Sequence, residues 1–299
     1  MEKINYSAKV KQALSDESPI VALESTVITH GLPMPKNLEV AQAMEDSVVS
    51  SGAIPATIGV LDGEIHIGLE PDELERLASS KSAVKISRRD IAGALLKKLD
   101  GGTTVSGTMT LAEMAGLKIF ATGGIGGIHR GNLTDVSADL PSLARIPVMV
   151  VCSGAKSILD LPATREYLET VGVPVIGYQT NEFPAFYSKE SGLKVDFKLD
   201  SPVEIAKFAK LHWELGLGSA ILVTVPVPDE FAIPASEMDG FIDQALEEME
   251  HLGIKGAAST FFLLSKVSEL TGEKSMRSNI ALLKNNARVA GEIAVEYYR

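Results

Sequence analysis

The 299-residue chain has one cysteine, Cys152. It can form no intrachain disulfide, and a thiol-poor chain without bridges fits a reducing interior, so the cytoplasm is the expected compartment. An excess of positive charge is also missing: 28 Lys and Arg against 39 Asp and Glu give a formal net charge of −11. That balance argues against nucleic acid as a partner of the general surface, because such binding rests on many Lys and Arg contacts to phosphate. An anionic small molecule would need a local basic pocket. No apolar run reaches the ~18 residues that spanning a membrane requires, and residues 1–5 lack the apolar core of a signal peptide. Internal repeats, low-complexity tracts and a convincing linker are absent, so one domain over 1–299 is expected.

What the chain does have is material for a core. Hydrophobic residues make up 45% and charged residues 22%, with a mean hydropathy of +0.15, enough to bury a large interior under a soluble surface. Apolar runs at 19–24, 83–87, 118–122, 146–152, 173–178 and 219–225 read as strands, and the first delivers Glu24 to its end. Helical spacing lies between them, from Leu38 to Gly52, at 70–79 and 90–99, and at about 103–116, 137–145, 157–170 and 202–216. Asp62-Gly63 marks a hairpin within 56–68. Residues 188–201 are the most polar insertion and read as a surface excursion. The last quarter, at 236–252, 257–270 and 275–298, is helical. Strands alternating with helices predict a layered α/β/α domain with a central mixed, largely parallel sheet.

Chemistry-bearing residues concentrate between Gly101 and Ser157, where glycines, hydroxyls, carboxylates and a lysine crowd together. Glycine lets a backbone approach a ligand, and free N–H groups near helix starts attract anions. Lys156 follows a strand and precedes the helix expected from Ser157. The positive end of that helix and an apolar strand floor both favour a neutral, nucleophilic amine. A phosphate-binding lysine and an ordinary surface lysine are the competing readings. Gly154-Ala155-Lys156-Ser157 is too short for a P-loop.

Asp135 and Asp139 flank Ser137, and two oxygens within one helical turn suit Mg²⁺ or Mn²⁺ with retained waters; capping by Asp135 or Ser137 explains the same spacing. His129 and Arg130, in the glycine-rich stretch 123–131, read as ligand contacts. On the last helix Asn279 and Asn286 project into an apolar stripe, and either bond backbone or, for Asn279, reach a ligand.

Leu23 to Pro33, Pro55 to Gly59, Lys85 to Asp90, Ala121 to Gly131, Asp135 to Leu140, Ser153 to Asp160 and Asn279 to Leu283 together closely resemble the pseudouridine-5′-phosphate glycosidase family, whose relatives are described as indigoidine-synthase-A-like. The resemblance covers nearly the whole chain. It implies reversible C–C cleavage of pseudouridine 5′-phosphate into uracil and ribose 5-phosphate, with Mn²⁺ or a similar divalent ion, in a homotrimer. It also implies Lys156 as nucleophile, Glu24 as proton donor, Asp135 as metal-binding residue, and Lys85, Val105, Ser137, Ala138 and Asp139 as substrate contacts. The chain departs from the family at Val225, where Asn is usual, and at Thr260-Phe261, where Thr-Pro is usual.

The chemistry implied agrees with the residues. A C-glycosidic bond offers no heteroatom leaving group for a two-carboxylate glycosidase to protonate. With the ribose opened and Lys156 bonded at C1′, the bond to uracil C5 can break as the nitrogen forms an imine at C1′ and C5 accepts a proton. Glu24 supplies acid–base help, while Lys85, His129 and Arg130 hold the phosphate. Two rival functions share these features: an aldolase-type Schiff-base enzyme on ribose-phosphate-like substrates, and a non-catalytic nucleotide-binding protein.

Overall fold

Strands that are apolar at every position need cover on both faces, and the chain meets that need with a sheet between helical layers. The computed structural model describes residues 4–254 and 257–299, so Met1–Lys3 of the start considered above lie outside it. Ile20–Leu23, Ile119–Ala121, Met149–Cys152 and Ile221–Thr224 are buried throughout. They are neighbours in this order, and Val175–Tyr178 and the edge strand Phe197–Leu199 follow. All these pairings are parallel. On the other side Ile54–Leu61 pairs parallel with Ile20–Leu23 and antiparallel with Glu64–Ile67. The hairpin between them turns at Asp62 and Gly63, both at positive φ, as a two-residue turn requires. The sheet is therefore mixed but largely parallel, as the alternation of elements implied.

Lys274–Tyr297 crosses one face and packs on Lys36–Ser50, Pro202–Glu214 and the central strands; Val105–Met114 and Asp139–Leu143 pack together on the other. The largest buried apolar cluster runs from Val10 to Ala294 in sequence. Ala235–His251 and Ala257–Leu270 pack as a helical pair, and the second touches the single π-helical turn Val27–Gly31.

Three expectations need correction. Gly101–Thr103 is a strand between Val84–Ile86 and Ile54–Leu61, and the following helix starts only at Val105. The strand is hidden by its two glycines, which are there for close packing: a Cβ on Gly102 would meet the Ser25 carbonyl oxygen at 2.7 Å. The excursion 188–201 contains the edge strand Phe197–Leu199. The helix expected from Ser157 starts at Leu161, because Leu159–Asp160 first pairs antiparallel with Ile128–His129, and Asp160 then caps the helix through the Ala163 N–H.

Because the central strands are parallel, their carboxyl ends share one edge. Glu24, Thr122 and Ser153 emerge there side by side, each just past its strand. In open α/β sheets ligands bind in the crevice beyond that edge.

Candidate active site

Glu24 is buried, and Thr122 on the adjacent strand end donates its hydroxyl to Glu24 Oε1. Burial raises the carboxyl pKa above its ordinary value. Lys156 opposes that most strongly, then the Thr122 bond; Asp139 adds to the rise and Lys85 opposes it. Four ionisable groups separated widely in sequence thus share one electrostatic environment. A carboxyl in this setting can hold its proton toward neutral pH and deliver it to a reacting atom.

Lys156 is carried on a loop that extends the sheet. Ser153 N–H donates to Gly123 O at 2.9 Å, Ile125 N–H to Gly154 O at 3.0 Å, and Lys156 N–H to Ile125 O at 3.1 Å. Gly154 sits at φ +81°, and a Cβ there would collide with the Pro184 carbonyl oxygen. With the helix beginning at Leu161, no helix dipole meets Lys156, so the neutral-amine argument based on one fails. Cys152, directly beneath, is fully buried, and burial pushes its thiol to about 12, which makes it inert packing.

Lys85 lies in the short strand Val84–Ile86, and its pKa is lowered. Burial is the main cause and Lys156 the next, while Asp139 and Glu24 act the other way. His30, on the π-helical turn, is half-buried; burial and then Lys85 lower its pKa. Its Nδ1 pairs with Thr29 Oγ1 at 2.7 Å. Sequence reasoning assigned His30 no role. The signal available was its place at the end of Glu24-Ser25-Thr26-Val27-Ile28-Thr29-His30, and single π turns are frequent at functional sites.

Asp139 is buried, and both its oxygens accept main-chain donors: Oδ1 from Ser106 N–H at 2.9 Å and Oδ2 from Gly126 N–H at 2.8 Å. It clamps the start of the helix Val105–Met114 to the glycine loop. Ser137 Oγ in turn accepts the Asp139 N–H at 3.2 Å, and Ala138 is exposed. Val105 is buried at 1% exposure, so any ligand contact it makes runs through its main chain.

Asp135 is exposed on the strand Asn132–Val136. The idea of two carboxylates within one helical turn is overturned, because the helix begins only at Asp139. Among the described residues no three His, Cys, Asp or Glu side chains gather as a metal site. One exposed carboxylate with no ion pair among those residues fits the loose way in which Mg²⁺ or Mn²⁺ is held, with waters and substrate oxygens completing the shell. It does not make an all-protein cage.

Arg130, expected as a ligand contact, bonds the protein's own main chain: Nε donates to Leu159 O at 3.2 Å and one terminal nitrogen to Ser157 O at 3.0 Å. His129 is half-buried on the strand Ile128–His129. Of the two amides, Asn286 follows the backbone alternative. Its Nδ2 donates to Thr122 O at 2.9 Å and Gly123 O at 3.3 Å, and its Oδ1 accepts from Ser153 Oγ at 3.2 Å, tying two strand ends together. Asn279 is half-buried and makes no side-chain hydrogen bond among the described residues. Val225 is buried, its N–H donating to Cys152 O at 2.7 Å, and Phe261 is half exposed.

An acid, two lysines and a main-chain clamp at the carboxyl edge of a parallel sheet define an enzyme of the α/β class. The family model for indigoidine synthase A like proteins matches residues 9–296, and the chain belongs to that family. A protein named pseudouridine-5′-phosphate glycosidase from Caldanaerobacter subterraneus subsp. tengcongensis is 52% identical over 98% of this chain and 96% of its own length. One of the same name from Solibacter usitatus is 54% identical over 97% of this chain and 98% of its own. Among solved structures, the prealnumycin C-glycosynthase AlnA in complex with ribulose 5-phosphate superposes with a TM-score of 0.92 at 38% identity, covering 100% of this chain and 98% of its own. An indigoidine synthase A-like protein from Thermotoga maritima gives 0.91 at 35% identity, over 99% and 97%.

Proposed function

We propose that the chain reversibly cleaves the C–C glycosidic bond of pseudouridine 5′-phosphate to uracil and ribose 5-phosphate through a Schiff base on Lys156. The observation that carries this reading is the shared electrostatic environment of Glu24, Lys85, Asp139 and Lys156 at the sheet's carboxyl edge. Relatives about half identical over nearly their whole length bear the corresponding name.

In the cleavage direction the unprotonated Lys156 amine bonds to C1′ as the C1′–O4′ bond breaks, and O4′ takes a proton. The nitrogen then releases its proton, its lone pair forms the C=N bond, and the C1′–C5 bond breaks as C5 accepts a proton. Water hydrolyses the resulting iminium to ribose 5-phosphate and the free lysine. Glu24, whose pKa is raised by burial, is the donor to these atoms. Lys85 binds the phosphate, with His129, the main chain at Val105, the Ser137–Asp139 segment and Asn279 as further substrate contacts. Asp135 would hold the divalent ion, Mn²⁺ or Mg²⁺, which would supply positive charge to substrate oxygens.

A homotrimer is part of the same reading, supported by the exposed Leu211, Leu215 and Leu217 on and just after the helix Pro202–Glu214. No helix among the described residues is long and apolar enough to cross a membrane. The lone buried thiol suits a reducing compartment such as the cytoplasm.

Borohydride reduction in the presence of ribose 5-phosphate, followed by peptide mass spectrometry, tests the reading. The expected result is a ribose-phosphate mass on Lys156, absent in Lys156→Ala. An adduct on another residue overturns it.

A further inference from the structure

Arg130 lies next to the short strand Ile128–His129, which pairs with Leu159–Asp160 just beyond the reactive loop. The turn from Lys156 to Leu159 is closed by Leu159 N–H donating to Lys156 O at 3.0 Å. Two carbonyls of that turn, Ser157 O and Leu159 O, receive the same guanidinium, at 3.0 and 3.2 Å. Among the described residues no other side chain bonds the carbonyls of 156–159, and the buried Ser157 hydroxyl finds no partner. The outer nitrogens face Asp239 at 3.7 Å and Asp243 at 3.5 Å, one turn apart on the helix Ala235–His251. The fork is thus occupied by protein on both sides, and it joins the turn after Lys156 to the helical pair beside the sheet.

We propose that Arg130 is a positioning residue for Lys156, fixing the 156–159 turn so that the amine meets C1′ in a reactive geometry. This rests on Lys156 as the nucleophile. A planar guanidinium can span two carbonyls while its remaining donors face carboxylates; a lysine ammonium keeps the charge but not the fork. A nucleophile displaced by about 1 Å can lose on the order of 10²-fold in rate without any change in what is bound.

The experiment is single-turnover borohydride trapping of wild type, Arg130→Lys and Lys156→Ala, with ribose 5-phosphate and, separately, ribose. Arg130→Lys keeps the positive charge toward Asp239 and Asp243, and its folding is checked by thermal melting. The expected result is that Arg130→Lys slows trapping about tenfold or more with both aldehydes, by the same factor, while half-saturating concentrations move less than about threefold. Trapping at the wild-type rate overturns the inference. A penalty confined to the phosphorylated sugar also overturns it and makes Arg130 a phosphate ligand. If wild type yields no adduct on Lys156, the Schiff-base reading itself falls, an outcome distinct from either of these.

Discussion

Thr122 donates its hydroxyl to the Glu24 carboxylate across the ends of two adjacent parallel strands. The bond stabilises the charged form of an acid that burial otherwise keeps protonated. Removing it, as in Thr122→Val, raises the Glu24 pKa further. If Glu24 is the proton donor, the alkaline limb of the pH–kcat profile moves up in Thr122→Val, and a limb that stays put removes Glu24 from that role.

The same raised pKa has a sign for stability. The folded protein holds the Glu24 proton at pH values where the unfolded chain has lost it. Stability from this group therefore falls as pH rises from the unfolded carboxyl pKa through the raised folded one. Glu24→Gln should lower kcat by about 10²–10⁴-fold yet leave melting at neutral pH equal to or above wild type. Calorimetry at several pH values checks this; a variant less stable at pH 8 than at pH 5 relative to wild type contradicts the sign.

Asp135 and Asp139 should separate cleanly. Asp139→Ala removes two bonds from main-chain donors to a carboxylate and should cost about 3 kcal/mol of stability, at roughly 1.5 kcal/mol each. Asp135→Ala, on an exposed strand, should leave melting within about 0.5 kcal/mol of wild type while lowering turnover as chelation of divalent ions does. Full activity after chelation rejects the metal proposal.

Lys85→Ala should lower kcat/KM for pseudouridine 5′-phosphate by about 10–10²-fold, the scale of one charge-assisted bond, and hardly affect pseudouridine. Its pKa is depressed by burial, so phosphate affinity should weaken as pH rises through that lowered value. Equal penalties on both substrates place Lys85 at the sugar or the chemical step instead.

Asn286→Ala leaves the buried Thr122 carbonyl and Ser153 hydroxyl without the amide that they bond, while Gly123 O keeps the Ser153 N–H, and should destabilise the protein by about 2–3 kcal/mol. Denaturant unfolding measures it. A change under 0.5 kcal/mol means that the two strand ends need no such tie.

Much of the architecture could be read locally, because periodicity reports which faces are buried. Ile20–Leu23 and Met149–Cys152 are apolar at every position, so the residues following them, Glu24 and the Ser153–Lys156 loop, had to stand at strand ends. Gly101–Thr103 escaped because glycine carries no periodicity, and its strand pairing comes from two distant segments. The two aspartates show the limit of spacing as a guide: four residues apart in sequence, one is exposed on a strand and the other is buried at a helix start.

The sequence alone determined most of the element types, the family and most of the candidate side chains, since those follow from composition, local pattern and motif. Which of them meet was decided by the sheet. Its order sets Ile20–Leu23 beside Ile119–Ala121, so Glu24 finds Thr122 98 residues away, and Asn286 reaches Thr122 across 164. No local pattern carries such pairings, because they arise from packing the whole apolar interior at once, and Arg130 takes its carbonyl partners from the same closure.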